Sequence, residues 1–171
     1  TMGTGRTGRF YSKAGSARVA SEYSVVHSSE GTFKKTRLKE KDSSGKPKIE
    51  INLKSGGHGE HNLKLLEKYG IKYNIVKTYP NGVRVGNVPK HDKKTKQNGT
   101  GQSWFPKNWS KKDIKKAVEQ IARQKSNRNK KDGQVMFGNY KGVRVGVIKT
   151  NGKIGTIFPD VYQPSKLWRK K

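Results

Sequence analysis

Two turn sequences, Tyr79-Pro80-Asn81-Gly82 and Thr150-Asn151-Gly152, each lie between segments in which apolar residues alternate with polar ones. Asn-Gly supplies the positive φ that a tight hairpin turn needs, and alternation is the period of a half-buried strand. The chain is thereby committed to antiparallel hairpins. The first joins Ile71, Tyr73, Ile75 and Thr78 to Val83-Arg84-Val85. The second joins residues 143–149 to 153–158, with 135–138 leading in. A third hairpin is read over residues 32–53: basic residues alternate from Lys35 to Lys41, Asp42-Ser43-Ser44-Gly45 turns, and Ile49, Ile51 and Leu53 return. Gly142-Val143-Arg144-Val145-Gly146 repeats Gly82-Val83-Arg84-Val85-Gly86. The repeat fits two similar β-halves as well as it fits a common way of leaving a turn.

Helical period appears twice between the hairpins. Leu63, Leu65, Leu66 and Tyr69 share one face of a short helix that Gly70 can end. Ser110-Lys111-Lys112-Asp113 is close to a capping box, and Ile114, Ala117, Val118 and Ile121 follow at helical spacing, which predicts an amphipathic helix over about 111–124. Hairpins mixed with helices read as an α+β fold. Residues 1–22, rich in Gly, Ser, Thr and Arg, read as a flexible lead-in. Residues 23–165 form the domain, with subdomains at about 23–88 and 100–165 around a lysine-rich loop, and 166–171 form a basic tail.

Charge narrows the partner. The 171 residues carry 39 Lys and Arg against 12 Asp and Glu, a net +27, with only 29% hydrophobic residues. A small core and a large positive surplus fit a polyanion, nucleic acid ahead of anionic membrane. Cysteine is absent, so disulfides, thiolate metal sites and a Cys nucleophile are excluded. No apolar run approaches the ~20 residues of a membrane span. The start, Thr-Met-Gly-Thr-Gly-Arg, has no apolar segment of a signal peptide and reads like the cut edge of something longer.

The chemistry centres on Ser55-Gly56-Gly57-His58-Gly59-Glu60-His61-Asn62. The glycine pair lets backbone take positive φ and approach a ligand, and it puts His58 at the mouth of a helix, where an imidazole can exchange a proton near neutral pH. Metal-free RNA cleavage needs a base for the 2′-hydroxyl, an acid for the leaving 5′-oxygen and a cation for the phosphorane charge. His27, His58, His61, His91 and many lysines offer that set. A lone histidine is more often a polar surface or turn residue. His58 stands apart by its context, His61 comes second as a helix-start residue, and His91 reads as a phosphate contact or solvated. His-x-x-His without an acidic cluster is a weak metal site, so neither metal nor cofactor is expected. Trp104 and Trp109 read first as core, with base stacking the alternative for Trp104.

Taken in order, Gly56-Gly57-His58, Asn81-Gly82-Val83-Arg84-Val85, Ser103-Trp104-Phe105-Pro106-Lys107-Asn108-Trp109-Ser110, Gly142-Val143-Arg144-Val145 and 152–159 (Gly-Lys-Ile-Gly-Thr-Ile-Phe-Pro) resemble the bacterial branch of the EndoU ribonuclease superfamily over about residues 50–160. The resemblance implies an α+β fold of two antiparallel β-sheet subdomains with flanking helices, and a His-His-Lys site in the cleft between them. It implies cleavage by 2′-hydroxyl attack to a 2′,3′-cyclic phosphate. By motif, His58 resembles the second histidine, the general base. Lys96 stands where the family's lysine is expected, with Lys94 its rival, and Thr156 falls on the C-terminal strand's substrate-contacting threonine. Phe158, Lys94, Ser103 and His61 are taken as substrate contacts. Phe158 replaces a family tyrosine, which keeps ring packing and loses a hydroxyl. The family's first histidine lies about fifteen residues before Gly-Gly-His; here His27 is the only upstream histidine, and it serves as general acid if 32–53 is an inserted hairpin.

Such domains resemble the C-terminal toxin tips of contact-dependent growth inhibition and related secreted toxins. That implies an endoribonuclease toxin acting on RNA, tRNA foremost, exported on a larger protein and active in the target bacterium's cytoplasm. It also implies an acidic immunity protein, the toxin otherwise being a monomer. Basic residues of the 90–96 loop and of 34–54 are expected to grip phosphates. The alternative is a non-catalytic basic RNA- or ribosome-binding protein, which composition supports equally. A heparin or membrane-surface binder lacks the amphipathic basic helix it would need.

Overall fold

The computed structural model describes residues 16–165; the tail at 166–171 and the lead-in up to residue 15 lie outside them. The lead-in expected through residue 22 is packed from Ser16 onward: the Ser16 carbonyl accepts the Ile154 N–H at 2.8 Å, and Ala20 is buried in the main core.

Helix α1 (Glu22–Glu30) has no apolar stripe to announce it. Its buried side holds Ser24 and Ser28, one turn apart. Ser24 Oγ donates to the Ile154 carbonyl at 2.9 Å, and Ser28 Oγ accepts the Ile157 N–H at 2.9 Å. These serines satisfy backbone groups of β8 (Lys153–Pro159), which would otherwise be a bare sheet edge. The buried residues of α1 are Ser24, Ser28 and Ser29 with Val25 the one apolar member, which is why the helix escapes a hydrophobicity reading.

A hairpin of β1 (Thr32–Lys41) and β2 (Pro47–Ser55) follows, then α2 (Glu60–Lys68). Strands β3 (Asn74–Thr78), β4 (Arg84–Asn87) and β5 (Gln102–Trp104) form one antiparallel sheet in chain order, and β6 (Val135–Tyr140), β7 (Val143–Thr150) and β8 form another after α3 (Lys111–Ala122). The fold is α+β as expected. Beside the two three-stranded sheets, the β1–β2 hairpin forms a small sheet of its own. The capping box of α3 is complete, with Ser110 and Asp113 each bonding the other's backbone. The repeated Gly-Val-Arg-Val segments enter β4 and β7, the central strands of the two sheets. In each, the valines are buried and the arginine finds a carboxylate: Arg84 to Glu60 at 2.7 Å, Arg144 to Asp160 at 2.8 Å.

The main core joins α3 and the third sheet to Val25, Tyr79, Val83 and Val85; a second core gathers Leu53, Leu63, Leu66, Ile71, Val88 and Trp104. The halves of the chain interleave, since α1 packs on β8 and β5 pairs with β4. Ser103 Oγ donates to the Pro159 carbonyl at 2.7 Å, tying β5 to β8. The candidate site forms at this seam.

Candidate functional site

Helix α1 ends with the carbonyls of its last turn lacking a partner inside the helix, as every helix does. Here the glycine-rich stretch supplies donors to the Ser28 and Ser29 carbonyls and adds a second donor to the His27 carbonyl, which already accepts the Gly31 N–H at 2.9 Å. Gly57 N–H donates to the His27 carbonyl at 3.1 Å, His58 N–H to Ser28 at 2.6 Å and Gly59 N–H to Ser29 at 2.9 Å. Gly56 and Gly57 both sit at positive φ, 68° and 76°, to make this turn. The fit is close: a Cβ at Gly56 would stand 2.8 Å from His27 Nε2. One backbone ladder thus docks His27 against the Gly-Gly-His turn, although 31 positions separate His27 from His58 in the chain.

His58 is 3% exposed, and its Nδ1 lies 2.8 Å from the Ser103 carbonyl. A carbonyl only accepts, so Nδ1 carries the proton and Nε2 keeps the lone pair. Burial, then the charge of Lys96, holds the imidazole well below its usual range, against the opposing pull of the Ser103 hydrogen bond. His27 Nδ1 meets Thr32 Oγ1 at 2.8 Å, and burial together with Lys93 lowers its pKa as well. Tyr23, 74% exposed, stacks on the His27 ring with centroids 6.0 Å apart.

Lys96 closes a short 3₁₀ turn over Lys94–Lys96. Its ammonium donates to Gln102 Oε1 at 3.1 Å, and the Gln102 amide in turn donates to the Gly57 carbonyl at 2.8 Å. Burial and the neighbouring Lys93 bring the Lys96 amine down to about 8. Lys94, on the same turn, is exposed. Only Lys96 of the two is directed into the histidine cluster.

Phe158 reaches the site through a β-bulge, with Thr156 two residues before it on the same strand. Ile148 pairs with Thr156 but Lys149 pairs with Ile154, leaving Gly155 as an extra residue. The bulge inverts the alternation, so Ile154 and Ile157 both face the core while Thr156 and Phe158 take the other face. The Phe158 ring lies 5.9 Å from the His58 ring and covers Gly146, where a Cβ would stand 2.6 Å from Phe158 Cζ.

Other expected contacts lie elsewhere. The Ser103 hydroxyl is buried on the Pro159 carbonyl, so it supports the wall beneath His58 and does not face a ligand. His61 points away with Nδ1 3.0 Å from Ser29 Oγ, beside a hollow of about 260 Å³ lined by Glu30, Lys64, Leu65 and Lys68. His91 is neither solvated nor a phosphate contact. It is 1% exposed, its Nδ1 accepts the Lys93 N–H at 2.9 Å, and its carbonyl accepts from the Gln97 amide. Burial, with Lys96 and Lys93 beside it, pushes His91 down to about 4. Trp104 is fully buried with Nε1 on Asn62 Oδ1 at 3.0 Å, and Trp109 stacks on Phe105, so both are core rather than base platforms.

Sequence reasoning missed Gln102, Thr32, Ser28, Lys93 and Tyr23. Gln102 was within reach, directly ahead of the Ser-Trp-Phe-Pro motif; the others act through tertiary contacts that no local pattern encodes. Among the described residues no group of three or more His, Cys, Asp or Glu side chains is gathered to hold a metal ion, and no helix is long and apolar enough to cross a membrane.

No curated protein and no solved structure matches the chain. A family model does, over residues 25–161, described as "Bacterial EndoU nuclease". The matched span begins just before His27 and ends just past Phe158, so it takes in both docked histidines, the lysine turn and the bulged strand. On that match, and with a fold in accord with it, the chain belongs to the bacterial EndoU nuclease family.

Proposed function

We propose that the protein is an endoribonuclease toxin that cleaves RNA, tRNA foremost, by attack of a 2′-hydroxyl on the adjacent phosphate. The observation that carries this reading is the docking of His27 beside Gly56-Gly57-His58, with His58 Nε2 left as the free lone pair. His58 Nε2 takes the 2′-hydroxyl proton, O2′ bonds to phosphorus, and the bond from phosphorus to O5′ breaks. His27, protonated, gives its proton to that leaving oxygen. The products are a 2′,3′-cyclic phosphate and a 5′-hydroxyl, and no metal is required. The substrate phosphate raises the His27 pKa on arrival, because an adjacent anion favours the charged imidazole.

Lys96 supplies positive charge to the non-bridging oxygens in a half-buried setting, where a cation acts more strongly than in water. Thr156 and Phe158 border the same space, Phe158 offering a ring to the ribose. In this reading the domain is the exported tip of a larger protein, works in the cytoplasm of a target bacterium, and is held in check by an immunity protein. The net charge of +27 favours an acidic face on that inhibitor.

The test is digestion of total cellular RNA by purified protein in EDTA, beside His58→Ala. Discrete fragments ending in 2′,3′-cyclic phosphate, lost in the variant, support the assignment and identify the RNA. Intact RNA that both proteins bind tightly overturns it in favour of a non-catalytic RNA-binding protein.

A further inference from the structure

The β1–β2 hairpin stands between the two histidines in the chain and springs from the site itself. At its root Thr32 pairs with Ser55; Thr32 holds His27 Nδ1, and Ser55 precedes Gly56. From there β1 runs for ten residues, roughly 33 Å at about 3.3 Å per residue. Only the root is packed. Phe33, Ile51 and Leu53 join the second core, whereas Ile49 near the far end is 60% exposed.

One face of this arm is organised. Its register sets Lys35 opposite Ile51 and Arg37 opposite Ile49, and Lys39 follows two residues on, within the register shift that separates Arg37 from Lys41. Lys35 and Arg37 thus stand about 6.7 Å apart, each beside an aliphatic side chain that can support its stem, with Lys39 beyond them. Among the described residues none of these three cations forms an ion pair, whereas Glu50 is already taken by Lys90 at 2.9 Å and Asp42 by its own turn. Residues 32–55 hold eight Lys or Arg against three Asp or Glu. The arm is braced against the lysine loop: Asp92 N–H donates to the Leu53 carbonyl at 2.9 Å, and Leu53 bridges His91. The lysine loop and the basic arm are therefore joined at Leu53.

We infer that this arm is a second RNA contact that grips the backbone of a base-paired stem roughly 10–25 Å from the cut, at about 3.3 Å per residue, and so selects folded RNA over single strands. The inference rests on the nuclease reading above for what lies at the arm's root. The hairpin, anchored at its root, spreads its cations along one extended direction, which suits a partner rigid over the same length. An RNA duplex is such a partner, recognised by shape and phosphates. A flexible single strand gains nothing from the far end of the arm.

The test is direct binding, measured by fluorescence anisotropy in the His58→Ala background, so that it does not depend on cleavage. The probes are a short blunt RNA duplex and a single strand of equal length. Replacing Lys35, Arg37 and Lys39 together by Gln is expected to weaken duplex binding by about tenfold or more and to flatten its log–log salt slope by about 2 to 3. Single-strand binding is expected to change less than about twofold, and a control triple on α3 (Lys112→Gln, Lys116→Gln, Arg123→Gln) to leave duplex binding in place. Unchanged duplex binding in the arm variant overturns the proposal and leaves that face to a protein partner. Equal losses on duplex and single strand, or from the control triple, overturn it as a bulk charge effect. A wild-type protein that cuts no RNA yet gives the expected binding pattern refutes the nuclease reading and keeps the arm.

Discussion

The Nδ1 of His58 faces the carbonyl oxygen of Ser103 across 2.8 Å, and this contact decides which nitrogen of the ring is basic. The proton is pinned on the inner nitrogen, and Nε2 is left to accept. An asparagine can reproduce the inner N–H donor but has no basic atom at Nε2. His58→Asn is therefore expected to keep the melting temperature within a few degrees while cleavage falls by about 10² or more. Thermal melts and single-turnover kinetics on one RNA check both halves.

Lys96 and Lys94 separate cleanly. Lys96→Gln removes the cation that sits among the histidines, with an expected loss of about 10²–10³ in kcat/KM, whereas Lys94→Gln loses less than about threefold. Burial opposes the charge on Lys96, whose folded value near 8 lies below the ordinary 10.5. Its removal is accordingly expected not to lower the melting temperature. A site lysine that costs stability is the pattern of function traded against folding.

Gly146 is the floor under Phe158. A methyl there collides with the ring, which has His58 on its other side. Gly146→Ala is expected to destabilise by about 1–3 kcal/mol and to raise KM as the ring is displaced. Adding Phe158→Leu is expected to recover much of the stability and none of the KM. Urea titrations of the two single variants and the double variant give the coupling.

Acid sensitivity follows from the buried imidazoles. His58, His27 and His91 all have folded pKa values depressed below the unfolded value of about 6.5, with His91 near 4. Between those values the unfolded chain binds more protons than the folded one, so stability is full above about pH 6.5 and falls as pH drops toward 4. The melting temperature is expected to decline over that window. His91→Asn, which keeps the acceptor for the Lys93 N–H, is expected to make the decline shallower.

The hairpins, α2, α3 and its capping box were legible because local chemistry dictates them. Asn-Gly turns, alternation, helical spacing and a Ser-x-x-Asp cap act within a few residues of chain. His58 was legible for the same reason, since its glycines announce a turn that only they can make. Sequence ranked Lys96 ahead of Lys94 only through the family resemblance, because they share one turn and the contact with Gln102 that separates them is tertiary. Helix α1 stayed hidden because its buried face is mostly serine, useful only once the edge of β8 lies against it.

The sequence alone thus determined the class of fold, the electrostatic character of the partner and the His58 turn, all properties of composition and short-range geometry. Tertiary structure alone decided that His27 is docked on Gly56, that Phe158 turns toward His58 beyond the Gly155 bulge, and that His91 and Ser103 serve the interior. Those outcomes depend on hydrogen bonds between elements tens of residues apart. Such bonds are set by which backbone groups remain unpaired after the local structure has formed, and no window of sequence contains that information.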